Sequence, residues 1–294
     1  MLYTTQNNNK RYAMLLCCVL TACQKPPTVV QDTNQKETTA QVLPKQPEFN
    51  PQVTPLGIEH ARCDYRRCAE FSIAHLSSHQ NFINQTLEQA TLDILKQKLN
   101  PNSTDTSTIS DLSLQNQMSN ASFQAQVQHY ADLFFQLDQD LNQVNSNIHT
   151  SFIIKIDQQS HVGNLVTVVL QSQDFLGGAH ALHRQQYFVF DLLQQQQLSL
   201  EDLLQPNQKD ALKEKVYRQF TDWVLNEKLA DNVKDYEQAW PFKISHNFYL
   251  NDKGLVLQYN EYDIAPYLMG TPSFTIPYAA LKNILKPQFL PTKP

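Results

Sequence analysis

Two hydrophobic rhythms alternate along this chain. Between residues 81 and 99, Ile83, Leu87, Ala90 and Ile94 recur three or four apart, which predicts a helix with one buried stripe. Residues 122–144 repeat the pattern more strongly, with Val127, Tyr130, Phe134, Leu137, Leu141 and Val144 in one apolar line. Pro101 and the Ser/Thr/Asp run through Asp111 form a long polar loop between them. The period then changes. Residues 151–156 and 165–170 are dense in β-branched residues and predict strands, with 157–163 as the turn. Upstream, 57–63 and 68–76 alternate as the two strands of a hairpin.

The second half starts from Phe175-Leu176-Gly177-Gly178-Ala179-His180. Gly177 and Gly178 form a turn that other residues would resist, and His180 belongs to it. Residues 186–192 predict a strand and 194–197 a polar connection. Ser199-Leu200-Glu201-Asp202 has capping-box form, so its adjacent carboxylates mark a helix start and not an acid–base pair. Asn207 is expected to cap a helix through Leu229, with Leu212, Val216, Phe220 and Trp223 buried. Strands follow at 242–250 and 255–259, joined by the 251–254 turn. A last strand at 274–276 and a short helix at 278–285 end the pattern before Pro287. This order predicts an α+β fold of two small antiparallel sheets, each packed with helices. The expected units are 56–174 and 175–287, with 288–294 as a tail.

The N-terminus reads as an address. Lys10 and Arg11 precede a short apolar core, and Leu20-Thr21-Ala22-Cys23 has the form of a lipobox. Residues 1–22 are therefore expected to be a lipoprotein signal, with Cys23 lipidated. The segment resembles the signals of Gram-negative lipoproteins, in which an Asp after the cysteine favours inner-membrane retention; with Gln24 there, that resemblance implies the outer membrane, facing the periplasm, with the lipid as the only membrane contact. Residues 23–55, rich in Pro, Thr and Gln, are expected to be a disordered tether. In that oxidising compartment Cys63 and Cys68 are expected to form a disulfide, worth about 2 kcal/mol across so short a loop. The alternative is a redox-active pair tuned by Arg66 and Arg67.

Net charge of −5 at 294 residues, without a basic stripe, argues against nucleic acid and leaves room for a basic partner. His180, His183 and Asp174 lie close in sequence, but a zinc site needs a third converging ligand, so no metal is expected. No third glycine follows Gly177-Gly178 at dinucleotide spacing, and no Gly-x-Ser-x-Gly elbow exists. No cofactor and no catalytic residue is expected. The aromatic, proline-pinned segment that holds Tyr262, Tyr267, Met269, Phe274 and Tyr278 is the candidate binding surface; the alternative is that these aromatics pack the sheet, the preferred reading for Tyr267 and Tyr278.

Five ordered segments carry a resemblance: Gly177-Gly178-Ala179-His180, Phe190-Asp191-Leu192, residues 198–203, residues 262–270, and Ile276-Pro277-Tyr278. Together they resemble the C-terminal domain of the extracytoplasmic region of RsiV-type anti-sigma factors, a domain of unknown function. The preceding half is more loosely similar to the domain that comes before it there and in PdaC-type deacetylases. Those anti-sigma factors carry a cytoplasmic segment and a membrane-spanning helix, and the pattern here has neither, so no direct part in sigma-factor control is expected. Nothing matches the deacetylases' catalytic domain. RsiV-like ectodomains act as lysozyme receptors. The resemblance therefore implies a non-catalytic module that captures or inhibits lysozyme or another cell-wall-active protein. The alternative is a peptidoglycan- or carbohydrate-binding module, or an enzyme acting on the wall.

Overall fold

A strand with apolar residues at every second position buries one face, and three such strands form the centre of this molecule. The computed structural model describes residues 48–60, 68–100, 121–144 and 148–291. All of them lie within one compact unit, Lys45–Pro294. In chain order the elements are β1 (Gln52–Pro55), β2 (Glu70–Ser77), α1 (Asn81–Leu99), α2 (Phe123–Val144), β3 (Ser151–Val162), β4 (Leu165–Phe175), β5 (Leu182–Asp191) and β6 (Gln196–Leu198). Then come α3 (Leu200–Leu203), α4 (Lys209–Asn226), α5 (Val233–Ala239), β7 (Phe248–Leu250), β8 (Gly254–Gln258), β9 (Ser273–Pro277) and α6 (Tyr278–Leu281). Strands β1 to β6 form one sheet in sequence order, and β7-β8-β9 form a second. The fold is α+β. Both sheets are antiparallel except where β2 pairs parallel to β3, across the connection that carries α1 and α2.

Alternation decides which face each strand buries. Phe152, Ile154, Ile156, Val166, Val168, Leu170, Phe188 and Phe190 turn to one face and pack with Ile83, Leu87 and Leu95 of α1 and Val127 and Phe134 of α2. Val189, one residue out of phase, turns to the other face and joins a second core with α4, α5 and the three-stranded sheet. The two cores therefore divide within β5. The expected boundary at residues 174–175 falls instead at the end of β4, inside the six-stranded sheet.

Several elements differ from the expectation, each for a local reason. The strand read at 57–63 lies earlier, as β1, inside the segment read as tether. All four β1 residues are exposed, so they carry no hydrophobic signal, and edge position tolerates Pro51 just before the strand and Pro55 at its end. Phe49, 4% exposed, anchors this segment in the first core. Residues 157–162 of the expected 157–163 turn are strand. The polar residues among them belong to a ribbon with a register shift between Gln158 and Ser160, and Gly163 (φ +62°) makes the actual two-residue turn. Asn207 adopts φ +62° in the turn before α4 and does not cap it. The α4 stripe ends on Val224, with Trp223 only partly buried beside it. Helix α5 was missing from the pattern, and its start is marked by Asn232, which accepts from the Lys234 N–H. The segment before β7 is irregular from Phe242 onward, although Phe242 and Ile244 still pack on the second core.

Candidate functional site

Three features of β5 and its neighbours place the site. Strand β6 pairs only with Val189, Phe190 and Asp191, so the edge of β5 from His183 to Tyr187 has no strand partner there. Side chains close it instead. The N–H groups of His183, Gln185 and Tyr187 donate to Glu261 Oε2, Asn260 Oδ1 and Asn247 Oδ1, each at 2.8 Å. The Asn247 amide also donates to the Gln185 carbonyl at 2.6 Å. Every second residue of a strand points its N–H to the same edge, so the three alternate donors meet three oxygens. Unpaired, they would each be costly to bury.

The residues that close this edge continue directly into the 262–270 segment. Asp263 N–H donates to the Asn260 carbonyl at 3.1 Å and the Asp263 carboxylate accepts from Asn260 N–H at 2.8 Å, which makes residues 260–263 a tight turn. Lys243 pairs with Asp263 at 3.0 Å on its outer side. Tyr262 takes the third position of the turn with φ +65°, the position that type II turns give to glycine. An aromatic residue in the left-handed region is strained, at a cost of order 1–3 kcal/mol. Its hydroxyl is hydrogen-bonded to His180 Nε2 at 2.7 Å. The His180 ring stacks on Tyr267, with centroids 3.7 Å apart. Leu268 stands 91% exposed at the tip, and Tyr262 is 46% exposed beside it. Gly270, at φ +63°, ends the short 3-10 turn Tyr267–Met269.

His180 is brought here by the turn after β4. Gly177 has φ +89°, and a Cβ on it would sit 3.1 Å from Leu141 of α2. Gly178 has no such demand. His183 lies on β5, 47% exposed at its side chain, with Nδ1 3.2 Å from a Glu261 carboxylate that is itself 8% exposed. His180 and His183 thus have different partners. Asp174 turns to the helix face, where it is 2.9 Å from Lys98 of α1. Among the described residues no group of three His, Cys, Asp or Glu side chains converges as metal ligands. The Glu261–His183 pair can orient an imidazole, and no hydroxyl or thiol is hydrogen-bonded to His183 among the described residues.

The expected binding residues separate. Tyr262, Tyr267 and Met269 share the turn, with Tyr267 and Met269 partly buried. Phe274 is a correction: alternation along β9 turns it inward, and at 4% exposure it packs on Tyr259, Trp223 and Phe220 in the second core. Tyr278 is also half-buried, donating to the Asn251 carbonyl at 3.0 Å. Leu268, Glu261, Asn260 and Asn247 were not singled out by the sequence. A polar Asn-Glu pair after a strand resembles any loop, and its partners lie 75 and 78 residues away. Cys23 and Cys63 lie outside the described residues, and with them the expected lipidation and the pairing of Cys63 with Cys68. Among the described residues no helix is long and apolar enough to cross a membrane.

No curated protein matches the chain. Its fold is similar to the crystal structure of a DUF3298 family protein from Pseudomonas aeruginosa PAO1, at TM-score 0.57 and 22% identity, covering 85% of this chain and 98% of that one. It is also similar to a DUF3298 family member from Bacteroides fragilis NCTC 9343, at TM-score 0.51 and 18% identity, covering 81% and 93%. At these identities the likeness speaks for the fold alone. Residues 201–279, which include the Tyr262 turn and all three strands of the smaller sheet, match the model of that same family, described as a protein of unknown function (DUF3298).

Proposed function

We propose that this protein is a non-catalytic binding module of the cell envelope, held by a lipid on Cys23, that captures a basic cell-wall-active protein such as lysozyme through the 262–270 turn. The observation that carries the reading is Tyr262. A tyrosine held where the backbone favours glycine carries a folding cost, and such strain gathers at ligand-contacting sites. Leu268, exposed at the tip beside it, adds apolar surface that a partner can cover. The partner class comes from the resemblance to RsiV-like ectodomains. The net charge of −5 favours encounter with a basic protein.

The test is calorimetric titration with a basic lysozyme at two salt concentrations. Binding is expected to weaken with salt but persist. Tyr262→Ala and Leu268→Ala are each expected to cost over about 1 kcal/mol of affinity. Tyr262→Gly separates function from fold: it is expected to stabilise the protein by about 1 kcal/mol while losing the partner. Absence of heat at both salts removes lysozyme as the partner. Anchoring has its own check, since Cys23→Ser is expected to move the protein from the membrane fraction to the soluble one.

A further inference from the structure

The six-stranded sheet has a second face, and its two ends differ. At one end Val169 and Thr167 of β4 and Val189 of β5 are buried, at 1%, 3% and 2% exposure. At the other end the same face passes through Gln171 and Gln173 of β4, which lie opposite Gln185 and His183 of β5. Lys155 of β3 lies opposite Gln171 on the outer side. None of these residues is buried, and no helix covers them, because α1 and α2 pack on the opposite face.

The chemistry of this open end is specific. The Gln171 and Gln173 side chains make no hydrogen bond with any described residue. Each amide presents both a donor and an acceptor, half-buried and unused. The third amide is oriented: Tyr187 Oη donates to Gln185 Oε1 at 3.0 Å, which turns the Gln185 NH2 group away from the tyrosine. The Tyr187 ring stacks on Tyr249 of β7 with centroids 4.3 Å apart, so an aromatic pair borders the amide row. Burial pushes the Tyr187 hydroxyl up to about 12, so it remains a donor throughout the physiological range.

We propose that this amide row and its tyrosine border form a binding site for a neutral oligosaccharide, separate from the Tyr262 turn. Sugar hydroxyls donate and accept together, as amides do, and the C–H face of a pyranose matches the negative face of an aromatic ring. Other ligand classes fit less well. Anions require clustered Lys or Arg, and Lys155 is the one cation in this row. A peptide strand requires an open strand edge, and Asn247, Asn260 and Glu261 close that of β5. A lipid requires an apolar floor.

The test uses the full-length protein in detergent, titrated by NMR and calorimetry with chitotetraose and cellotetraose, and with a heparin tetrasaccharide as the charged control. At least one neutral oligosaccharide is expected to bind saturably and to shift the side-chain amide resonances of Gln171 and Gln173. The double variant Gln171→Ala/Gln173→Ala is expected to weaken binding by about tenfold, with an unchanged circular dichroism spectrum. Tyr262→Ala is expected to leave it unaltered, so failure of this site and failure of the turn are distinguished. Saturable binding of neither neutral oligosaccharide, binding of heparin alone, or affinity indifferent to the double substitution overturns the proposal.

Discussion

Lys98 and Asp174 show how much a single pair can carry. Lys98 closes the last turn of α1, where a cation also complements the helix dipole. Asp174 sits near the end of β4 at 5% exposure, and the two are 2.9 Å apart. They fix the register of the helix against the sheet, but burying both charges costs solvation that the contact must offset. Removing one partner leaves the other charged and dry. Lys98→Met and Asp174→Leu are therefore each expected to lower stability by about 3–5 kcal/mol. The double replacement should cost less than either alone, because neither charge is left behind. Urea midpoints of the four proteins decide it, and simple additivity would show that the pair is not coupled. A glycine makes a different demand: a Cβ on Gly254 would lie 2.0 Å from the Ile276 carbonyl oxygen, so β8 can approach β9 only with no side chain there.

Helix α3 illustrates what an element needs and what a sequence reveals of it. Four residues cannot sustain a helix unaided. Ser199 accepts from Asp202 N–H at 3.2 Å and Asp202 accepts from Ser199 N–H at 2.8 Å, forming the reciprocal cap. The turn so held pairs onward, with Gln205 N–H donating to Ile284 and Lys286 N–H to Leu203. The Ser199 hydroxyl, then its backbone N–H, holds the Asp202 carboxyl below its ordinary range. A lowered folded-state value means stability that is present above the unfolded value and is lost as pH falls through the folded one. Ser199→Ala is expected to cost about 1 kcal/mol at neutral pH, and the gap from the parent should narrow as Asp202 protonates in acid. Thermal melts from pH 7 down to pH 2 measure this, and a gap independent of pH would assign the loss to the hydroxyl alone. The cap was legible because four adjacent residues contain it. Three of the four expected positions on each of α1 and α4 were legible for the same reason, since local spacing sets them, while the last buried positions are Leu95 in place of Ile94 and Val224 in place of Trp223. Strand β1 was not, because an exposed edge has no alternation to read. Nor was the parallel β2–β3 pairing, which is set by two helices between the strands and by no residue within them.

At the scale of the whole molecule, β5 is the shared element. Phe188 and Phe190 belong to the first core, while Val189 between them belongs to the second. One strand thus couples two hydrophobic clusters, and thermal unfolding should be a single transition. The join is completed by Asn247, Asn260 and Glu261, which stand in for a strand along the β5 edge 60, 75 and 78 residues away in sequence. No local pattern could announce these bonds, because each joins residues far apart in the chain. The site inherits this geometry: Asn260 and Glu261 run straight into Tyr262, so the same residues that close the edge aim the turn. Asn247→Ala removes one acceptor and one donor, leaving the Tyr187 N–H without a partner, and is expected to cost about 1–3 kcal/mol. Its signature should be spatial. Amide hydrogen exchange is expected to accelerate at Gln185 and Tyr187 while Val168 and Leu170, deep in β4, keep the protection of the first core. Calorimetry of the variant should then show the second core melting ahead of the first. Uniform acceleration across both sheets, with one unchanged transition, would mean that the strand alone couples the cores and that the side-chain edge serves only to aim Tyr262.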